Sequence, residues 1–280
     1  MKSQPLGEAF SGHLAFMLAW QRYGEQQSGI PLIFLHGMLG ERHNWHSQAE
    51  SFAKEYPVIT VDLRNHGESP HVKGMGYRQM ADDVLALMAH LNIPEAMFCG
   101  HSMGGKVAMF LALQTPERVS KLAVVDIAPV KYPLWHQPLL QALLALPIER
   151  LQSRKQADEY LAHRIDDPFE RAFLLKNLQR VTGVGKGFQW KCNLREIARQ
   201  YLNIAGFPEL AKSYSGETLF IRGSDSNYVT DEAEAPIKQY FPQAHIATIA
   251  GAGHLPHVQQ PVLFSMQLDN FLKDTRHSVL

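Results

Sequence analysis

Ser102 lies in a segment whose pattern is typical of an activated serine nucleophile. The segment reads Gly100-His101-Ser102-Met103-Gly104 and fits the pattern Gly-x-Ser-x-Gly. A predicted strand precedes it and a predicted helix follows it, which is the context that the pattern requires. The glycines permit a tight strand-to-helix turn, and the first amides of the helix can stabilise an oxyanion. We therefore predict that Ser102 attacks an acyl carbon.

His254 is the predicted general base, which a serine needs near neutral pH. The chain has 14 histidines, so position must decide between them. His254 ends the segment Gly251-Ala252-Gly253-His254, just after the last predicted strand, and the order Ser, Asp, His along the chain fits. His257 is a weaker alternative.

Two aspartates can orient the imidazole of His254 and stabilise its charged form. Asp126 follows the strand that comes after the nucleophile helix, and Asp225 follows a later strand. Position along the chain permits both, so the residues alone leave the acid of the triad open.

The backbone amides of Met38 and Met103 are the predicted oxyanion hole. Met103 directly follows the nucleophile, which is the usual place for one donor. The second donor is expected in the loop at 36–40 after an earlier strand, where Gly37 lets the chain turn inward.

No metal or cofactor is expected. His36, His43 and His46 are close in sequence, but no carboxylate or cysteine pattern accompanies them. The glycine-rich stretch at 183–187 lacks the Gly-Lys-Ser/Thr of a phosphate-binding loop.

The elements that must position these residues alternate in the way of a parallel sheet flanked by helices. Predicted strands cover 31–35, 58–61, 96–99, 122–125, 218–221 and 245–249, and predicted helices include 77–91, 103–114 and 261–273. The alternation breaks after Val130, where 139–146, 152–163 and 168–180 look helical. We predict a core domain formed by 1–130 and 216–280, with a helical cap of 131–215 over the carboxyl edge of the sheet, where ligands bind.

Composition limits the class of partner. Lys+Arg and Asp+Glu both total 27, so the formal net charge is zero and nucleic acid is not favoured. No apolar run reaches the ~18 residues of a membrane span. Polar residues interrupt 1–20, which argues against a secretory signal and makes the cytoplasm the expected location. Cys99 and Cys192 imply no disulfide framework. We expect a small, mostly uncharged substrate and a monomer or homodimer.

Taken together, these motifs resemble the α/β-hydrolase superfamily. His36-Gly37, the segment Asp-Leu-Arg-Asn-His-Gly-Glu-Ser at 62–69, the nucleophile segment and the 251–254 motif span most of the chain outside the predicted cap. The segments 125–130 and 223–229 resemble the small bacterial esterases of the YbfF type and their mitochondrial relatives. In many superfamily members the acid lies three residues after the loop glycine, a place held here by Ser226. In the YbfF-like subgroup it follows the strand after the nucleophile helix, which implies Asp126, with Asp225 as the alternative.

The resemblance implies hydrolysis of short- to medium-chain acyl esters through Ser102, His254 and Asp126, with acyl-coenzyme A thioesters as a second option. Five aromatic residues are candidates for an acyl pocket: Trp135, Phe169, Phe173, Phe188 and Trp190. The fold also serves other functions. A carbon–carbon bond hydrolase or lyase, and a non-catalytic ligand-binding receptor or scaffold, are therefore the alternatives.

Overall fold

The computed structural model describes residues 16–181 and 187–273. Most of the segment on which the signal-peptide prediction rests, and most of the glycine-rich stretch at 183–187, lie outside these residues. Within the described ranges, no helix has both the length and the apolar character needed to cross a bilayer.

The centre of the molecule is a seven-stranded sheet. Its strands are β1 (Trp20–Tyr23), β2 (Leu32–Leu35), β3 (Val58–Val61), β4 (Ala96–His101), β5 (Val119–Val125), β8 (Thr218–Gly223) and β9 (Ala244–Ile249). They lie in the order β1-β3-β2-β4-β5-β8-β9, and every neighbouring pair is parallel except β1 with β3. The predicted fold class, a mostly parallel sheet flanked by helices, is confirmed.

Helices cover both faces of this sheet. They are α1 (His46–Phe52), α2 (Tyr77–His90), α3 (Met103–Gln114), α9 (Glu234–Tyr240), α10 (Pro256–Gln259) and α11 (Pro261–Lys273). One face packs against α2 and α3, and the other, around Phe34, Phe52 and Phe264, packs against α1 and α11. Strands β2 and β3 are buried along their whole length. This burial on both faces explains why they are continuous apolar runs rather than alternating ones.

Strand β1 was not expected from the sequence. It is an edge strand that is half-buried and carries Gln21 and Arg22. Such a strand lacks the continuous apolar run of a central strand, so the pattern that identified the other strands could not detect it. Its antiparallel pairing with β3, from Trp20 opposite Val61 to Tyr23 opposite Val58, places it in the sheet.

In its described residues, the segment between β5 and β8 holds five α-helices and a small hairpin. These are α4 (Gln137–Leu144), α5 (Arg154–Ala162), α6 (Pro168–Leu174), α7 (Leu194–Arg199), α8 (Tyr201–Ala205), β6 (Leu178–Arg180) and β7 (Phe188–Trp190). The helix predicted for 168–180 is therefore too long: α6 ends at Leu174, a 3₁₀ turn follows, and 178–180 pair antiparallel with 188–190. Each residue of this pairing has its partner about ten residues away in the chain. The spacing of apolar residues that predicts a helix cannot detect such a pairing. The division into core and cap domains stays a prediction.

Candidate active site

Ser102 occupies the sharp turn between β4 and α3. Its backbone has φ +50° and ψ −117°, a left-handed φ that is uncommon for a residue with a side chain. The N–H of Ser102 donates to the carbonyl oxygen of Val125 at 3.0 Å, which holds the turn against the end of β5. A Cβ on Gly104 would lie 2.5 Å from the carbonyl oxygens of Leu35 and His36. Glycine at 104 therefore lets α3 approach β2 closely enough to form the turn.

His254 reaches Ser102 from the loop between β9 and α10. The Nε2 atom of His254 lies 3.1 Å from Oγ of Ser102, and its Nδ1 atom lies 2.8 Å from Oδ2 of Asp126. Because an ionised carboxylate only accepts hydrogen bonds, this geometry assigns the proton to Nδ1 and leaves Nε2 free to accept from the serine. A serine, an imidazole and a carboxylate thus form one continuous hydrogen-bond path.

Asp126 lies at the end of β5 and is fully buried, with φ +51°. Its N–H donates to the carbonyl oxygen of Ile221 at 2.8 Å, which ties the turn to β8. The N–H of Gly223 donates to Oδ1 at 3.1 Å, and the hydroxyl of Ser226 donates to Oδ2. Three donors, including the imidazole, therefore stabilise the charge of this buried carboxylate. The sequence motifs identify position 226 only as the place where many members of the superfamily carry the acid; they do not predict this hydrogen bond of Ser226.

Asp225 does not contact His254. Its side chain is exposed, and its Oδ1 atom accepts a hydrogen bond from the hydroxyl of Ser224 at 2.8 Å. The loop at 223–229 therefore presents Ser226, rather than Asp225, to the buried carboxylate of Asp126.

The other candidate base, His257, lies away from the serine. It is 2% exposed and stacks on Trp45 with ring centroids 4.2 Å apart. Burial lowers the pKa of His257 to about 3, so this ring is neutral near pH 7. His101 is also buried, and its Nε2 atom lies 2.7 Å from the carbonyl oxygen of His254. That contact holds the loop that carries the catalytic candidate.

The loop at 36–40 lies directly beside the nucleophile. A Cβ on Gly37 would lie 2.7 Å from Nδ1 of His101 and 3.2 Å from Cβ of Ser102, so a side chain at 37 would force these neighbours to shift. Met38 and Met103 line the same cavity as Ser102. Met103 is the first residue of α3, so its N–H has no carbonyl partner in a preceding turn. The part of these amides as an oxyanion hole stays a prediction.

Two buried histidines hold this loop in place. The N–H of Leu63 donates to Nε2 of His36 at 3.0 Å, and the N–H of Leu39 donates to Nε2 of His66 at 3.1 Å. Burial lowers the pKa of both rings, that of His66 to about 3. A neutral ring can accept these bonds, whereas a protonated one cannot. His36 thus has a structural contact, and in the described part of the chain no three His, Cys, Asp or Glu side chains form a group that could hold a metal.

A cavity of about 300 Å³ opens above Ser102 and His254. Of the aromatic candidates, Trp135, Phe169 and Phe173 line it. Phe188 and Trp190 do not: they belong to β7, whose pairing with β6 places Trp190 beside a different pocket, with Cys192 and Leu194. Trp190 thus lies outside the lining of the cavity above Ser102, and its part in substrate binding stays a prediction. Several residues of the segment between β5 and β8 also line the cavity, although no sequence pattern had indicated them: His136, Leu139, Glu170, Leu174, Tyr201 and Ile204.

Lys106 is a further residue that the sequence analysis missed. It lies one helical turn after Ser102 in α3 and is 1% exposed. Its ammonium donates to the carbonyl oxygens of Val130 at 2.9 Å, Ala205 at 3.0 Å and Gly206 at 2.7 Å. These carbonyls belong to the two chain segments that enter and leave the 137–205 helices, so one side chain ties both to α3. Burial lowers the pKa of Lys106 to about 7.

Comparison with known proteins finds one fold family and relatives that are described as a lipase and an esterase. Residues 30–261 match the model of a family described as alpha/beta hydrolase fold. The chain is 40% identical over 249 residues to the sn-1-specific diacylglycerol lipase ABHD11 of Mus musculus, covering 86% of this chain and 80% of the relative. It is 33% identical to esterase YbfF of Escherichia coli, covering 89% of this chain and 95% of the relative.

A solved structure described as a marine microorganism esterase is similar over most of its length. It superposes with a TM-score of 0.88 at 37% identity, covering 92% of this chain and 100% of the other. This chain is thus similar, in both sequence and architecture, to proteins described as ester hydrolases.

Proposed function

The chain belongs to the alpha/beta hydrolase fold family and is a carboxylic ester hydrolase; we propose that it cleaves short- to medium-chain acyl esters through Ser102, His254 and Asp126. The observation that carries the proposal is the hydrogen-bond path from Oγ of Ser102 through the imidazole of His254 to the buried carboxylate of Asp126. A nucleophile, a base and a group that orients the base are the parts that acyl transfer requires.

The proposed reaction has two halves. As Oγ of Ser102 attacks the acyl carbon, Nε2 of His254 takes the serine proton, and the amides of Met38 and Met103 stabilise the oxyanion. The alcohol then leaves with the proton from His254, and an acyl-enzyme remains. Water repeats the steps on the acyl-enzyme, releasing the acid and restoring the serine. All the acid–base work uses side chains of this chain.

The size of the cavity supports the proposed acyl length. Its volume of about 300 Å³ is at the small end of the roughly 300–1,000 Å³ of small-molecule sites. The wall near Phe173, Leu139 and Leu174 is apolar, as an alkyl chain requires. A thioester has the same acyl part, so the apolar wall fits the acyl chain of an ester and of a thioester alike.

A lipid ester is a second candidate substrate. Trp135 and Phe169 line the cavity and are 48% and 44% exposed, and Leu134 beside them is 37% exposed. Exposed apolar side chains at the mouth of a site favour contact with an apolar assembly. Relatives described as diacylglycerol lipases make this substrate class worth testing.

The test is hydrolysis of p-nitrophenyl esters of increasing acyl length, with Ser102→Ala as the blank. We expect activity with an optimum at short to medium chains, and none above background in the variant. A matching series of acyl thioesters and an emulsified diacylglycerol would rank the leaving groups. If a serine-directed phosphonate failed to label the protein and no ester were cleaved, the serine mechanism would be wrong.

A further inference from the structure

The cavity above Ser102 has an uneven distribution of charge. Besides tyrosines, the ionisable lining residues in the described part of the chain are His101, Lys106, His136, Asp167, Glu170 and His254. Burial lowers the pKa of His101 well below its usual value and that of His136 to about 4. Both rings are therefore neutral near pH 7. Away from His254 itself, the charges that a substrate meets are those of Lys106 and the two carboxylates.

The charge of Lys106 is directed away from the substrate space. All three of its N–H bonds are engaged by the carbonyl oxygens of Val130, Ala205 and Gly206, and the side chain is 1% exposed. With a pKa of about 7, it is only partly protonated at neutral pH. It therefore offers little compensation for a carboxylate elsewhere in the cavity lining.

Glu170 is that carboxylate. It lies in α6, is half-buried, and lines the cavity. Across residues 16–181 and 187–273, its carboxylate has no hydrogen bond or ion pair. The neighbouring cation in α6, Arg171, is directed elsewhere: its Nε donates to Asp158 at 2.7 Å, and its Nη1 donates to the carbonyl oxygen of Ile165 at 2.8 Å. Among the described residues, the carboxylate of Glu170 thus lacks a direct ion-pair partner.

Glu170 lines the same cavity as Ser102 and His254. Burial and the nearby charge of Asp167 raise the pKa of Glu170, whereas the charge of His254 lowers it. Asp167 itself is exposed and caps α6 by accepting from the N–H of Phe169 at 2.9 Å. Of the two carboxylates that line the cavity, Glu170 is therefore the less exposed one.

We propose that Glu170 is a specificity-determining residue, whose carboxylate makes the enzyme favour uncharged acyl chains and reject acyl chains that end in a carboxylate. Repulsion between like charges is strong where water is partly excluded, and specificity often depends on such an unfavourable contact with the wrong substrate. This inference rests on the proposed esterase function. It narrows the substrate class to neutral acyl esters and excludes half-esters of dicarboxylic acids.

The experiment compares two p-nitrophenyl esters of adipic acid that differ only at the far end, one a carboxamide and the other a carboxylate. The measured quantity is kcat/KM for the carboxamide divided by kcat/KM for the carboxylate, after subtraction of the Ser102→Ala blank. We expect Glu170→Gln to lower this ratio by on the order of tenfold, because one like-charge contact is lost. Taking the ratio removes effects that both esters share, including any effect on His254.

Glu159→Gln is the matched control, since Glu159 lies in α5 with its side chain 62% exposed and outside the cavity. It should leave the ratio unchanged. Independently of any variant, the ratio of the wild type should fall as salt is raised, because salt screens the repulsion.

The outcomes separate the two proposals. A wild type no more active than Ser102→Ala on the carboxamide ester would overturn the esterase function, and the charge selection with it. A Ser102-dependent wild type whose ratio is the same in Glu170→Gln, or does not respond to salt, would overturn the charge selection alone.

Discussion

The ring of Tyr228 lies face to face with the imidazole of His254, with ring centroids 3.8 Å apart and ring planes 18° from parallel. The hydroxyl of Tyr228 is 3.4 Å from Nε2 of His136, at the start of α4. Tyr228 therefore connects the imidazole of His254 with His136 at the start of α4. An aromatic face attracts a cation, so in the proposed mechanism this contact would stabilise the imidazolium that forms when Ser102 is deprotonated.

Tyr228 should support turnover through its ring rather than its hydroxyl. We expect Tyr228→Leu to lower kcat by about tenfold, because the aromatic face over the imidazolium is lost. Tyr228→Phe keeps the face and should stay within about threefold of the wild type. Saturation kinetics on one p-nitrophenyl ester gives both values. Equal losses in the two variants would instead assign the effect to the hydroxyl and its contact with His136.

Asp126 should be needed for catalysis and Asp225 should not. Asp126→Asn leaves the size of the side chain unchanged but replaces the acceptor that holds the proton on Nδ1 of His254, so we expect kcat to fall by about 10³–10⁴. Asp225→Asn changes an exposed carboxylate and is the matched control. Kinetics of the two variants side by side is the measurement. A large loss in Asp225→Asn with a normal Asp126→Asn would reverse the assignment.

Ser226 should act on the reaction through Asp126. Its hydroxyl donates to the carboxylate oxygen that also accepts from His254. Hydrogen bonds to charged groups contribute about 1.5–3 kcal/mol, so we expect Ser226→Ala to lower kcat by about tenfold with little change in KM. The control is Ser224→Ala in the same loop, whose hydroxyl contacts Asp225 and Gly251 instead. If both alanines reduced kcat equally, the loop as a whole would be responsible.

Gly104 should not tolerate a side chain even though it lies in a helix. Alanine normally stabilises a helix relative to glycine by about 1 kcal/mol. Here its Cβ would lie 2.5 Å from two carbonyl oxygens of β2 and the loop after it, and such overpacking costs about 1–3 kcal/mol or more. We expect Gly104→Ala to lower the melting temperature and the activity together. Gly206→Ala, where the nearest atoms would be 3.5 Å away, should melt near the wild type.

The folded state should lose stability in acid, because it keeps several histidines neutral. The pKa values of His66 and His257 are lowered to about 3 and that of His136 to about 4. As the pH falls below about 6.5, the unfolded chain binds protons that the folded chain does not, so the free energy of unfolding decreases. Each such histidine lowers the free energy of unfolding by about 1.4 kcal/mol for every pH unit between its pKa in the unfolded chain and its lower pKa in the folded chain.

Urea unfolding at several pH values between 4 and 7 measures this effect. His257→Phe keeps the stacking on Trp45 and removes one titrating group, so its stability should depend less steeply on pH than that of the wild type. An unchanged slope would show that His257 is protonated in the folded state.

Local patterns allowed much of this molecule to be predicted from its sequence. Helix α3 and helix α11 have the predicted bounds, and strand β3 lies where its apolar run is. The turn at Ser102 is also local, since its glycines and its flanking strand and helix are adjacent in the chain. The short polar edge strand β1 and the hairpin of β6 with β7 were missed, because each is defined by a partner that is not adjacent in sequence.

The sequence by itself therefore determined the fold class, the family and the identity of the nucleophile candidate, because these depend on contiguous motifs. Only the tertiary structure placed Asp126, rather than Asp225, against His254: both aspartates end parallel strands at the same sheet edge, and strand pairing and the left-handed turn at Asp126 decide which carboxylate points inward. It likewise brought Lys106 and Glu170 to the cavity and kept Trp190 away. Contacts between residues far apart in the chain leave no local signal, because they depend on how the helices pack over the sheet.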